Sequence, residues 1–481
     1  MSIKASVVSS LRWTAMAKLG GQVVSWAITL VVIRLLAPGD YGLMAMVNVV
    51  IGLLAMVAEM GFGASLVQSA TLDRGRVRDL FGVALLLNLL FMGALMAAAP
   101  LVAGFYGEPR LTTIMQVACL QFALNGLAVV PDALLRRAMR FRALSLLEIA
   151  SGITGNLVTL ALALAGHGVW SLVIGSLVVA LVRALLLQVL HPQRELPRFD
   201  WRNARGMVGF GAGVTTTRIL SYFSGQADVL VGGRLLGRDA LGLYSVALHL
   251  ATLPMQRVTS IINDVAFAAF AKIQHDVAAV AQNLLLGIRL LALVAFPALW
   301  GIAAVAPEIV RLALGERWLD AIVPMQVIAL AVPVRMLGTI IATTRLSMGR
   351  VDLSMATALA GFLIAPVAFA VAARYGAVGL AVTWALITPM HVMLSAIGSR
   401  TALGTRWSAL ARAAWPSVAA AVVMLGGVEL ARTATPSWPD AVRLPALVAT
   451  GAVLYTAATV LINRATMLEA WRLLRPRAAT T

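Results

Sequence analysis

Residues 34–43 read RLLAPGDYGL and residues 234–243 read RLLGRDALGL, with five of the ten positions identical at an offset of 200. A chain rich in Leu and Gly produces short matches by chance. Here, however, each copy follows one long apolar run and opens another, so an Arg and a Gly recur in register at equivalent helix junctions. Six apolar runs separate the copies, and an even number returns the chain to the same face. The two halves are therefore expected to be parallel repeats related by an axis along the membrane normal.

The rest of the chain supports that reading. Of 481 residues, 60% are hydrophobic and 12% charged, whereas soluble domains carry about a quarter charged residues. The mean hydropathy of +0.91 describes the whole length. Apolar runs fall at about 13–33, 43–66, 80–104, 111–131, 143–165, 168–190, 208–233, 240–266, 284–306, 320–344, 354–373, 377–398, 413–431 and 443–463. Each exceeds the ten or so residues of a barrel strand and is apolar on every face, so helices are expected. The first run lacks a cleavage pattern and leads straight into another, unlike a removable signal. The expected fold class is thus all-α: a polytopic membrane protein with about 14 transmembrane helices, in two parallel six-helix lobes plus two C-terminal helices. The expected divisions are 1–200, 201–400 and 401–481.

Lys and Arg fall unequally on alternate loops, 24 on one side and nine on the other. The richer side is expected to be cytoplasmic, which places both termini there. A net charge of +18 would suggest nucleic acid in a soluble protein, but these basic residues sit between apolar runs, so topology explains them and no nucleic-acid partner is expected. One cysteine, Cys119, and five scattered histidines make neither a disulfide framework nor a metal cluster. No metal or cofactor is expected. Pro254, Pro297, Pro333, Pro366 and Pro389 fall inside runs of the second half, while Pro100 and Pro131 of the first are placed at run ends, so bent helices are expected mainly in the second half.

Charges within apolar runs carry most of the functional information, because they are costly in hydrocarbon. Arg218, Arg257 and Arg335 each lie about nine or ten residues from an inner helix end, roughly 14–15 Å into a core about 30 Å thick. Glu59, Asp228 and Asp264 are candidate charge partners or carriers of a coupling ion. Two arrangements fit the arginines. Each can pair with a carboxylate or helix carbonyls, or the three can line a wet cavity whose guanidinium forks hold a phosphate; the surplus of arginine over acid favours the second. Lys18, Arg183 and Arg289 are expected to snorkel to the interface. The amides Asn48, Asn88, Gln116, Gln121, Asn125 and Asn156 connect helices or meet sugar hydroxyls.

Enzyme readings lack their parts: the sequence contains no GxxxxGK[ST] phosphate loop and no GxSxG elbow, and its longest polar break, around His191 to Arg205, is some fifteen residues. With RLLAPGDYG after the first run, RRAMRFRALSLLEIA over 136–150, GHGVWSLV over 166–173 and GRLLGRDALGLYSVA over 233–247, the chain resembles the polysaccharide-exporter branch of the multidrug/oligosaccharidyl-lipid/polysaccharide superfamily, the Wzx-like oligosaccharide flippases. The resemblance implies transfer of an undecaprenyl-pyrophosphate-linked oligosaccharide across the bacterial inner membrane. It also implies partners: the lipid-linked oligosaccharide, membrane lipid, H+ or Na+, and a polysaccharide polymerase or export machinery. It carries no catalytic residues and implies that the chain is not an enzyme. A multidrug or small-metabolite exporter of the same superfamily and a membrane-embedded glycosyltransferase or polymerase are the alternatives.

Overall fold

In the computed structural model the described residues are 20–58, 74–190, 197–198, 212–403, 406–464 and 466–469; they are helical almost throughout and contain no strand. Helix α1 (Gly20–Leu35) is followed by α2 (Pro38–Ala58), which starts on Pro38 with Asp40 in its first turn. Proline loses nothing at that position, because its missing N–H would have no helical partner, and the carboxylate suits the positive helix end. Asp40 also accepts from the Ala37 backbone N–H at 3.1 Å, fixing the junction in the first copy of the repeat. Next come α3 (Arg74–Tyr106), α4 (Arg110–Ala118), α5 (Leu120–Arg137), α6 (Phe141–Leu164) and α7 (Val169–Leu190).

The second half begins with α8 (Ala212–Gly225) and α9 (Ala227–Lys272). The expected run over 208–233 is broken at Gln226, whose φ of −117° and ψ of 9° leave the helix. Within α9, Gly237 has φ 78° and ψ −179°, a conformation open essentially to glycine alone, and it bends the helix inside the second copy of the repeat. Then follow α10 (Val277–Ile309), α11 (Ile322–Ser347), α12 (Val351–Ala372), α13 (Gly376–Leu403), α14 (Trp407–Ala434) and α15 (Asp440–Ile462). Ten helical stretches among the described residues are long and apolar enough to cross a membrane. The protein is therefore an all-α, multi-pass membrane protein. Ten is fewer than the fourteen expected: Asp352–Ile397 counts as one stretch, Gly20–Leu35 is shorter than the rest, and residues 212–272 are interrupted by charge and by the breaks just described.

The chain divides into two compact units, Met1–Ile219 with Gly237–Gly242, and Leu220–Leu236 with Leu243–Thr481. In the first, α3 packs on α5, α5 on α7 and α6 on α7. Val77, Leu80, Phe81 and Ala84 of α3 close on Val130, Ala133 and Leu134 of α5, and Leu135 of α5 meets Leu144 and Leu147 of α6 and Leu187 of α7. In the second unit α10 packs on α11, α11 on α13 and α12 on α13, the same three pairings in the same chain order.

The correspondence extends to hydrogen bonds. At the α5–α6 turn, Ala138, Met139 and Arg140 N–H groups donate to the carbonyls of Leu134, Arg136 and Leu135; at the α11–α12 turn, Met348, Gly349 and Arg350 donate to Thr344, Leu346 and Arg345. Each set is the other shifted by 210 residues, and the central residue is left-handed in both, Met139 at φ 55° and Gly349 at φ 74°. In the second turn Arg350 grips both oxygens of Asp352 at 3.1 Å, which holds its guanidinium above the ordinary arginine value.

Inside the first unit the two copies of the repeat meet reciprocally. A methyl group added at Gly42 would overlap the carbonyl oxygen of Arg238, and one added at Gly242 would overlap the carbonyl oxygen of Pro38. Gly42 and Gly242 are equivalent at the offset of 200, as are Pro38 and Arg238.

The proline expectation needs correction. Pro100 and Pro131 lie within α3 and α5, so helices of both halves carry internal proline. Neighbouring helices supply the packing and hydrogen bonds that make this tolerable.

Candidate functional site

The break at Gln226 places Asp228 in the first turn of α9, where the helix N-terminus favours a carboxylate. Asp228 is 1% exposed and its oxygens are met by neutral donors. The Val229 backbone N–H donates to Oδ1 at 2.8 Å, the Tyr244 hydroxyl to Oδ2 at 2.5 Å, and the Trp384 indole N–H to the same Oδ2 at 3.0 Å. The indole N–H also lies 2.6 Å from the Tyr244 oxygen. Tyr244 lies beyond the Gly237 bend in the same helix, while Trp384 comes from α13, so the cluster ties both arms of α9 to α13. Phe369 of α12 packs edge-on against the indole, with centroids 5.6 Å apart and planes at 62°.

Arg335, in the middle of α11 two residues after Pro333, lays its guanidinium over the indole, with Cζ 5.0 Å from the ring centroid. Such a contact is attractive because the ring face is electron-rich. Among the described residues Arg335 makes no hydrogen bond and no ion pair, and it is half-buried rather than enclosed. None of its five N–H donors is taken by a described residue. The chemical capacity of the arrangement follows: a fixed, planar cation within the membrane-spanning region, able to offer two parallel N–H bonds to a phosphate or carboxylate.

Of the sequence-derived candidates, then, the structure brings Asp228 and Arg335 together around one tryptophan, without the direct ion pair one arrangement anticipated. Arg218 belongs to the first unit and is exposed. Arg257 and Asp264 lie in α9, with side chains outside the described set, and Glu59 lies outside the described residues. Tyr244 and Trp384 escaped the sequence reading. The available signal was an indole N–H and a phenol in the interior of apolar runs, since each needs a partner when removed from water.

Arg183 and Arg289, expected to snorkel, hold ion pairs with Asp132 at 3.2 Å and Glu469 at 3.6 Å; Lys18 lies outside the described residues. Among the amides, Asn156 joins α6 to α1 through Ser25 Oγ at 2.6 Å, whereas Asn88 turns back on its own helix, to the Ala84 carbonyl at 2.9 Å. No group of three or more metal-ligating side chains occurs among the described residues.

A second polar network lies at the end of α10. Glu308 is fully buried and receives Arg432 of α14 at 3.0 and 3.2 Å, with Arg311 3.6 Å away. Arg432 also reaches Glu429 and the Ala304 carbonyl. Arg311 grips Asp440, in the first turn of α15, at 2.9 and 3.3 Å. The Tyr455 hydroxyl of α15 donates to the Leu293 carbonyl of α10 at 2.9 Å. Met424, Val428 and Leu447 pack the same seam. The final helix pair is thereby fastened to α10.

A solved structure described as the lipid II flippase MurJ in an inward closed conformation shares this fold, with a TM-score of 0.77 over 95% of this chain and 99% of that one at 13% identity. An inward-facing multidrug resistance transporter of the MATE family and MOP superfamily follows at 0.62, over 83% and 99%, also at 13% identity. The chain thus has the fold of these two polytopic helical membrane proteins. More narrowly, the chain belongs to the polysaccharide biosynthesis protein family, whose model matches residues 31–323. Among relatives, the teichuronic acid biosynthesis protein TuaB of Bacillus subtilis is 26% identical over 62% of this chain, which spans 62% of that protein's length. The lipopolysaccharide biosynthesis protein WzxC of Escherichia coli is 24% identical over 82% of this chain and 81% of its own.

Proposed function

We propose that the protein is a flippase that moves a polyprenyl-pyrophosphate-linked oligosaccharide from the cytoplasmic to the periplasmic leaflet of a bacterial inner membrane, for assembly of an extracellular, capsular or O-antigen polysaccharide. Both termini face the cytoplasm. A pyrophosphate and several sugars cannot cross hydrocarbon unaided, while the polyprenyl tail need never leave it. A fixed cation within the membrane-spanning region replaces water around the pyrophosphate. Alternating access then changes the leaflet to which the site opens.

The observation that carries this reading is Arg335, held over Trp384 with no hydrogen bond or ion pair among the described residues. An arginine whose donors no carboxylate occupies remains open to a phosphate through two parallel hydrogen bonds. Arg257, placed at the same depth by the sequence, is a further pyrophosphate contact in this proposal. The driving force is an H+ or Na+ gradient, or consumption of the product by the polymerase outside. The test is deletion of the protein in its host. Lipid-linked saccharide then accumulates on the cytoplasmic leaflet while extracellular polysaccharide is lost; unchanged leaflet distribution and unchanged polymer would defeat the proposal.

A further inference from the structure

We infer that Trp384, anchored by Asp228 and Tyr244, is a positioning element that presents Arg335 to the pyrophosphate while leaving its hydrogen-bond donors free. This rests on Arg335 as the pyrophosphate contact proposed above. A buried carboxylate near a cation ordinarily takes it in a direct pair. Asp228 does not: its bonds go to the Val229 N–H, the Tyr244 hydroxyl and the Trp384 indole N–H. Arg335 lies on the face of that same indole.

The charges therefore face each other through an aromatic ring rather than across an ion pair. Three consequences follow from the chemistry. An N–H donated to a carboxylate makes the indole face more negative, which strengthens its hold on a cation. The two polar anchors and the edge-on Phe369 fix the ring plane, and with it the face on which the guanidinium rests. The negative charge of Asp228 offsets that of Arg335 at short range without occupying a single donor. Direct pairing would instead oblige an incoming phosphate to displace a carboxylate. The tryptophan is thus the spacer that lets a counter-charge and an open anion site coexist, a role for which a phenylalanine lacks the N–H and a leucine lacks the face.

The test is binding of a polyprenyl pyrophosphate to the full chain in nanodiscs, with the matching polyprenol as control. Arg335→Gln should weaken pyrophosphate-dependent binding roughly ten- to a hundredfold, leaving a residual affinity that can be measured. Trp384→Leu should weaken binding roughly tenfold, between the sizes of an exposed and a desolvated cation–π contact. The deciding comparison is the double variant: if Trp384 acts through Arg335, Trp384→Leu adds nothing in an Arg335→Gln background, whereas independent effects multiply. Asp228→Asn, which keeps an acceptor for both donors but drops the charge, should retain more binding than Asp228→Leu. Wild-type binding by Arg335→Gln would overturn both the pyrophosphate contact and its positioning. Impaired Arg335→Gln with normal or additive Trp384→Leu would overturn the positioning role alone. Where Trp384→Leu fails to fold, Trp384→Phe decides instead, because wild-type binding without the N–H would overturn the anchoring through Asp228 and Tyr244.

Discussion

Replacing Arg432 with Met removes the main partner of a carboxylate that has no access to water. Glu308 is 0% exposed and the Arg432 side chain 18%, with two contacts at 3.0 and 3.2 Å. Stranding one member of a buried pair costs about 3–5 kcal/mol. Arg311 stands 3.6 Å from the same carboxylate and recovers part of this by closing in, so the expected loss is about 2–4 kcal/mol. Arg311→Met provides the contrast. Its side chain is 39% exposed and that of its other partner, Asp440, is 26% exposed, so solvent screens that pair and its removal should cost roughly 0–1 kcal/mol. A third protein, Glu308→Leu with Arg432→Leu, loses both charges together and should return to within about 1 kcal/mol of the wild type. Thermal unfolding in detergent, followed by tryptophan emission, ranks the three. If Arg432→Met proves no more damaging than Arg311→Met, or the double variant is the worst of the set, the buried charge is not what fastens α14 and α15 to α10.

Gly42→Ala and Gly242→Ala should each destabilise by about 1–3 kcal/mol, because the added methyl meets a backbone carbonyl that cannot swing aside; Gly152→Ala in α6, with nothing within 4 Å, should be neutral or slightly stabilising in the same melting assay. The matched turns make an opposed pair of predictions: Met139→Gly should stabilise by about 0.5–1 kcal/mol and Gly349→Ala should destabilise by about 1–2, since both positions are left-handed. Reporter fusions after Glu108, Asp239 and Asp440 should read periplasmic and those after Arg142, Arg202 and Arg406 cytoplasmic; a consistent reversal would refute the proposed orientation.

The apolar runs made the helical membrane class legible, and RLLAPGDYGL with RLLGRDALGL exposed a repeat whose glycines prove to face each other. The second recurrence, between the α5–α6 and α11–α12 turns, was invisible because backbone geometry is shared where letters are not: Met139 stands where the other turn has Gly349. Its offset of 210 rather than 200 also hides it from a single register. The break at Gln226 left no mark in hydropathy, since the residues around it remain compatible with a helix. Depth along a run identified Asp228 and Arg335 as unusual, but depth reports charge and not neutral donors. Tyr244 and Trp384, 16 and 156 residues from Asp228, carry no charge to attract notice, and only the fold brings them to its carboxylate.

Purified protein reconstituted into vesicles with a fluorescent polyprenyl-pyrophosphate oligosaccharide tests the central claim directly, by the rate at which the sugar moves between leaflets and becomes open to an added glycosidase. The account predicts rapid exposure of inner-leaflet substrate with the wild type and a rate at least roughly tenfold lower with Arg335→Gln at equal incorporation, as expected for loss of a charge-assisted phosphate contact. Equal rates for wild type, Arg335→Gln and protein-free vesicles would contradict translocation altogether, and equal, protein-dependent rates for the first two would contradict the assignment of Arg335.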